Sequence, residues 1–167
     1  EMIGVINTRS VNLYAEALLR TVGWEISGVY SPEAGLDAVD SFFRLAGIPP
    51  GMAHLKDGSG LSRHNWAAAE SFVRLFDFIE GTHLEQPFAE SLCSYGQGTM
   101  KRRISPVPVT QFRAKTGSMS GVRAFSGIME YRERRIVFSF LCNNYTTSSS
   151  RIINAIDMVL TETANLW

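Results

Sequence analysis

The apolar positions change their period half-way along the chain. From Asn12 to about Val22, Leu13, Ala17, Leu18 and Leu19 recur at helical spacing, with Glu16 in an early turn and Gly23 beyond the end, which predicts a short amphipathic helix. Thr8, Ser10 and Asn12 stand at its mouth. Ser31 followed by Pro32 announces a second helix, an N-cap with proline in the first turn, and Leu36, Val39, Phe43 and Ala46 hold the spacing as far as Gly47. Pro49-Pro50-Gly51 stops it, and Asp57-Gly58-Ser59-Gly60 has the composition of a tight turn. Asn65 to Ile79 predicts a third helix with Trp66, Ala69, Val73 and Phe76 on one stripe and Gly81 as terminator.

Beyond residue 108 the pattern is that of strands. Val109–Thr116, Gly121–Glu130 and Arg135–Cys142 are rich in Val, Ile and Phe and are separated by Gly117-Ser-Met-Ser-Gly121 and by the charged run Tyr131–Arg134. This predicts a three-stranded antiparallel meander. In the last strand Ile136, Val137, Phe138, Phe140 and Leu141 are apolar on both faces, so it is expected to be a central strand in a sheet covered by helices on both sides. Ser148–Ser150 then offer N-caps to a closing helix whose buried stripe is Ile152, Ile156 and Val159. The expected fold class is α/β, an α+β sandwich with an antiparallel sheet flanked by helices.

Composition narrows the function. With 167 residues and 18.5 kDa the chain suits one domain, and no internal repeat or linker divides it. Lys+Arg and Asp+Glu are both 16, which removes any bulk attraction to nucleic acid. Apolar residues make up 45% and charged residues 19%, enough to fold around a core. No apolar run reaches the length of a membrane span and no leader pattern opens the sequence, so a soluble chain is expected. Glu1 is not an initiator methionine, which reads as a processed product or a piece of something longer. Cys93 and Cys142 permit one disulfide at most; two buried thiols is the simpler reading.

Several site signatures fail on inspection. His54, His64 and His83 have no metal-ligand spacing, no Gly-x-x-x-x-Gly-Lys loop is present, and no cofactor is called for. Ser59 between Gly58 and Gly60 lacks the spacing of a nucleophile elbow. Lys101-Arg102-Arg103 and Arg132-Glu133-Arg134-Arg135 have no interleaved aromatics and read as solvated turns. What carries a signal is a pair: Ser10-Val11-Asn12 at a helix mouth and Lys115-Thr116-Gly117 at a strand end. Each alone is ordinary, a cap and a strand running into its turn. The 105 residues between Ser10 and Lys115 leave room for helices that wall one side of a cleft.

Ser-x-Asn and Lys-Thr-Gly are two of the three motifs of the penicillin-recognising serine enzymes. Ser10–Glu16, Asp57-Gly58-Ser59-Gly60-Leu61-Ser62, Gly98-Thr99-Met100-Lys101-Arg102-Arg103, Arg113–Ser118 and Asn143, in that order, resemble the peptidase S13 group. These are D-alanyl-D-alanine carboxypeptidases/endopeptidases of the cell envelope, of the penicillin-binding protein 4 type. The resemblance runs nearly the whole length and implies part of a penicillin-binding protein/β-lactamase-like transpeptidase fold. One motif is missing. The family's nucleophile lies in Ser-x-x-Lys, but Lys56, Lys101 and Lys115 are preceded at that spacing by Ala53, Gly98 and Phe112. Residues 1–167 are therefore expected to be the C-terminal portion of one such domain, without the part that carries the nucleophile.

The resemblance implies acyl transfer: a serine attacks the penultimate D-Ala carbonyl, terminal D-Ala leaves, and water or an amine resolves the acyl-enzyme. Ser10 would relay a proton between the missing lysine and the leaving nitrogen, and Asn12 would use its amide on the substrate backbone. Lys115 would hold the terminal carboxylate by its charge, with Thr116 donating a hydroxyl hydrogen bond. Gly117 would let the substrate lie against the strand, and the Ser118 N–H would be one oxyanion-hole donor, worth roughly 3 to 4 kcal/mol. The implied partners are a peptidoglycan stem peptide ending in D-Ala-D-Ala, β-lactam antibiotics, and either the N-terminal part of the same protein or a second copy paired along the 135–142 edge. The implied compartment is the periplasm or cell envelope. Two alternatives stay open: a non-catalytic peptidoglycan-binding module, and a β-lactamase or esterase on the same fold.

Overall fold

A computed structural model describes residues 1–103, 109 and 111–166. In chain order the helical part comprises α1 (Met2–Arg9), α2 (Asn12–Ser27), α3 (Pro32–Leu45), a two-residue hairpin of β1 (Ala53–His54) and β2 (Trp66–Ala67), α4 (Ala69–Ile79) and α5 (Glu85–Ser91). A 3-10 turn (Gly98–Met100) leads to β3 (Gln111–Met119), β4 (Val122–Tyr131), β5 (Arg134–Asn143) and α6 (Ser149–Asn165). The meander is present with order β3-β4-β5, all antiparallel. Thr110, inside the first predicted strand, lies outside the described residues.

Phe112, Phe125, Met129 and Phe138 on one face of the sheet pack with Ile156, Leu160 and Ala164 of α6. On the other face Ile128 and Val137 meet Phe76 of α4, Phe88 of α5 and Leu92. Helices thus cover both faces, as the two-sided apolar pattern predicts. Among the described residues, however, β4 is the central strand and β5 the outer one, so the expected central position of β5 is not met. Gly117, Ser118 and Met119 belong to β3, and the turn narrows to Ser120-Gly121.

Helix boundaries and stripes depart from the expectation for identifiable reasons. Gly23 does not end α2; it is buried against α3, where a Cβ would stand 2.6 Å from the Gly35 nitrogen. Gly35 in turn faces α2, its missing Cβ 2.2 Å from the Leu19 carbonyl oxygen. The two glycines let the helix backbones touch. Gly35→Ala is accordingly expected to destabilise the fold by about 1–3 kcal/mol, seen as a lower urea midpoint with an unchanged slope. Leu13 points to solvent, 74% exposed. Asn65–Ala68 precede α4, and Trp66 pairs across the hairpin with His54, their rings stacked at 5.8 Å. In α6 the buried stripe is Ile156, Leu160 and Ala164, with Val159 exposed. Ser31 and Ser148 do cap α3 and α6, accepting from the Ala34 and Arg151 backbone N–H.

The basic clusters are partly structural rather than solvated. Arg103 pairs with Asp157 of α6 and lays its guanidinium over the Phe125 ring, 4.1 Å from the centroid. Arg135 reaches Glu80 at 2.6 Å and Glu85 at 3.9 Å. Tyr95 packs on Phe112 with ring centroids 4.1 Å apart, and burial pushes its hydroxyl up to about 12, offset by Arg103 and reinforced by Asp157. Both cysteines are free, Cys93 buried and Cys142 partly so.

Candidate active site

Ser10 lies between two helices rather than at the cap of one. It closes α1 in the left-handed conformation, φ 54° and ψ 50°, with its N–H donating to the Ile6 carbonyl at 2.9 Å. For a residue with a Cβ that conformation costs about 1–2 kcal/mol, so surrounding contacts must hold it. The N-cap of α2 is Val11, without a side-chain cap bond. Neither Ser10 nor Asn12 is therefore spent on capping. Asn12 opens α2 with its side chain exposed.

The Ser10 hydroxyl accepts a hydrogen bond from Lys115 Nζ at 2.7 Å, across 105 residues of chain. The same ammonium donates to the Thr116 carbonyl at 2.6 Å. Removal from water lowers the Lys115 pKa below the ordinary lysine range, with the neighbouring Cys93 acting in the opposite direction. The two motifs that are far apart in sequence thus converge on one contact. It is a charge-assisted bond from a lysine whose proton is easier to release than usual.

Strand register explains which groups face outward. Ala114 exchanges both backbone hydrogen bonds with Cys93, at 2.9 and 3.0 Å, so these groups point away from β4. By alternation the backbone groups of Thr116 and Ser118, two and four residues on, also turn outward along the free continuation of that edge. Gly117 sits between them with its α-carbon opposite Ala124; an added Cβ would meet only the Ala124 Cβ, at 3.1 Å. Thr116 and Ser118 share one face of β3, and Lys115 and Gly117 the other.

Thr99 is a member of the site to which sequence reasoning assigned no role. Its Oγ1 accepts from Thr116 Oγ1 at 2.8 Å and lies 3.7 Å from Cys93 Sγ. Gly98 before it, with φ 47°, lies close against the end of α1: a Cβ there would come within 2.2 Å of the Thr8 carbonyl oxygen. The Arg103–Asp157 pair anchors the same segment to α6. On the opposite wall the loop after β1 is held by Asp57, which accepts from the backbone N–H of Gly60 and Ser62, and by Glu16 of α2, which accepts from Ser59 N–H. Among the described residues no cluster of metal-ligating side chains occurs.

Residues 1–163 match the family model of the D-Ala-D-Ala carboxypeptidase 3 (S13) family. The chain belongs to this family. The S13 chain is 34% identical to the D-alanyl-D-alanine carboxypeptidase DacB of Haemophilus influenzae over 83% of its own length and 30% of that protein. It is 33% identical to the D-alanyl-D-alanine carboxypeptidase of Actinomadura sp. over 82% of its length and 27% of the relative. Crystalline penicillin-binding protein 4 from H. influenzae, complexed with a β-lactam, superimposes with a TM-score of 0.87 at 28% identity, covering 98% of the S13 chain and 41% of that structure. The expected partial penicillin-binding protein fold is therefore present. The S13 chain spans about a third of the length of the curated relatives it matches.

Proposed function

We propose that the chain is the C-terminal portion of a penicillin-binding/transpeptidase-like domain in a serine-type D-Ala-D-Ala carboxypeptidase acting on peptidoglycan stem peptides in the periplasm or cell envelope. The observation that carries this reading is the 2.7 Å bond between Lys115 Nζ and Ser10 Oγ, which joins the Ser-x-Asn and Lys-Thr-Gly motifs beside an open strand edge. The nucleophile and its lysine come from residues outside 1–167, since no serine here is followed three residues later by lysine. By itself the chain hydrolyses nothing, and a β-lactam acylates only the complete site.

The roles follow from placement. The substrate backbone adds to the outward edge of β3 alongside Gly117, and the Ser118 N–H donates to the developing oxyanion. Ser10 relays a proton from the lysine of the missing Ser-x-x-Lys motif to the leaving nitrogen, its hydroxyl held in place by the Lys115 ammonium. The terminal carboxylate meets the Thr116 and Ser118 side of the strand, the Thr116 hydroxyl turning toward it from Thr99, to which it donates at 2.8 Å in the free site; Asn12 contacts the substrate backbone. Release of D-Ala from a diacetyl-Lys-D-Ala-D-Ala type peptide by the full-length protein tests this. Turnover that is abolished by a penicillin is the expected result, and a full-length protein that releases no D-Ala and binds no penicillin contradicts it, favouring a non-catalytic peptidoglycan-binding module. Hydrolysis of the β-lactam itself at a comparable rate would instead make the protein a β-lactamase.

The domain proposal also has a structural counterpart. Ile136, Val137, Phe138, Phe140 and Leu141 lie on the outer strand of the described sheet, and an unpaired apolar edge recruits another strand. In the full-length protein a strand from outside 1–167 pairs with β5; in the isolated chain a second copy takes its place. Hydrogen exchange is expected to protect the outward amides of residues 136–141 in the full-length protein, and light scattering to report self-association of the chain alone. A monomeric chain with those amides fully exchanging would refute the pairing.

A further inference from the structure

Ser10 is held in a conformation that α1 cannot hold by itself. The helix has eight residues, none of them buried, and its N-cap makes no side-chain bond. So short a helix has little stability of its own. Yet it ends on the left-handed Ser10, whose hydroxyl sits 2.7 Å from Lys115 Nζ. Side chains of other elements fix its last turn. The Asn7 amide donates to Ser91 Oγ at 2.8 Å, and the Cys93 thiol lies 3.5 Å from the Thr8 carbonyl oxygen and 3.9 Å from that of Asn7. These are last-turn carbonyls, which a helix leaves without partners of its own.

Proton counting gives this cluster a direction. A carbonyl oxygen only accepts, so the contacts to Thr8 and Asn7 use the single thiol proton and leave the sulfur as an acceptor. Thr99 Oγ1, 3.7 Å from that sulfur, already accepts from Thr116 Oγ1 at 2.8 Å, and its own proton therefore goes to Cys93. The chain runs from Thr116 through Thr99 and Cys93 to the end of α1. Its last two steps do not depend on the first, so they persist when Thr116 turns toward a substrate. Cys93 is fully buried, which keeps water from competing for bonds that a thiol makes only weakly. Its backbone exchanges both hydrogen bonds with Ala114, the residue before Lys115, so the thiol is anchored to the strand that carries the lysine. Gly98 lets the parts meet: a Cβ there would stand 2.2 Å from the Thr8 oxygen and 2.9 Å from Cys93 Sγ.

We propose that Thr99 is a positioning residue for Ser10: together with the Cys93 thiol it holds the last carbonyls of α1, and so keeps the Ser10 hydroxyl in line for proton transfer. Within the carboxypeptidase reading above, on which this rests, the step served is departure of the amine. The nucleophile's oxygen has bonded to the carbonyl carbon, the C–N bond breaks, and the nitrogen leaves with a proton that Ser10 gives up and regains from the lysine of Ser-x-x-Lys.

A thiolester that keeps the terminal carboxylate but replaces the leaving nitrogen with sulfur separates this role from a merely structural one, because a thiolate leaves without being protonated. In the full-length protein, Thr99→Val and Cys93→Ala are each expected to lower kcat/KM for a D-Ala-D-Ala peptide about 5- to 10-fold, the worth of one hydrogen bond, with the loss in kcat, and to change the thiolester by less than about 2-fold. Thr99→Ser, which keeps the hydroxyl, should restore the peptide rate. Hydrogen exchange supplies a readout independent of turnover: the Ser10 amide, bonded to the Ile6 carbonyl at 2.9 Å, should exchange faster in both variants and as in wild type in Thr99→Ser. Equal losses on peptide and thiolester, or an unchanged Ser10 amide, would overturn the proposal. If the wild type turns over neither substrate while the variants still speed exchange at Ser10, the tie to α1 stands and the carboxypeptidase reading fails.

Discussion

Lys115→Ala in the full-length protein is expected to lower kcat/KM for D-Ala-D-Ala peptides by about 10²- to 10⁴-fold, the range in which a positioned proton-transfer group contributes. The loss should fall on kcat more than on KM. Its physical basis is that the Lys115 ammonium sits 2.7 Å from Ser10 Oγ, so removing it leaves a hydroxyl in a strained backbone position with no group to orient or polarise it. Ser10→Ala should therefore cost a similar factor, and the double substitution little more than either alone, because the two act as one unit. Additive losses would show that they act separately. A pH profile adds a second reading. The charge-assisted form of the bond to Ser10 needs the protonated lysine, and burial lowers the Lys115 pKa; the basic limb of the kcat/KM profile is thus expected below the ordinary lysine range. Above the folded-state pKa the proton is lost and activity falls with it. Lys115→Arg, which cannot deprotonate in that range, should remove the limb altogether.

How much of this was legible in the sequence depended on whether a local rule or a tertiary contact decided the outcome. Strand periodicity in residues 111–143 is a local property, and the meander appeared with its boundaries shifted by one or two residues, apart from Gly117, Ser118 and Met119, which a turn composition had claimed. The caps at Ser31 and Ser148 are local too. Gly23 misled because its smallness serves the contact with Gly35, a neighbour twelve residues away, rather than a helix end. Trp66 suited a helical stripe but is held by the hairpin with His54. The short helices α1 and α5 have too few residues for a periodic signal.

At the site the motifs named Ser10, Asn12, Lys115, Thr116, Gly117 and Ser118, and the structure brings Ser10 and Lys115 into contact. What spacing alone could not supply was direction. Lys115 follows Ala114 and precedes Thr116, so neighbours in sequence fall on opposite faces, and the cation lands on Ser10 rather than beside the Thr116 hydroxyl. Thr99 stood in a segment that carries the family resemblance, yet its contact was not legible for the same reason: nothing local links a 3-10 turn to a strand end. Gly98 before it, with Arg103 four residues later, was the available hint.

A penicillin adduct decides the central claim, that residues 1–167 hold the Ser-x-Asn and Lys-Thr-Gly half of an acyl-transfer site whose nucleophile lies elsewhere. The expected effect is all or none. On the proposed reading Ser118 N–H is only one of two oxyanion donors and Ser10 relays a proton rather than attacking, so the chain alone is expected to have no route to a stable acyl-enzyme. Residues 1–167 and the full-length protein are each incubated with a labelled penicillin, and intact-mass spectrometry is followed by peptide mapping. The account predicts no adduct on the chain alone, and one adduct per molecule of the full-length protein on a serine outside residues 1–167 that is followed three positions later by lysine. A stoichiometric adduct on any serine within the chain, such as Ser59, would contradict it.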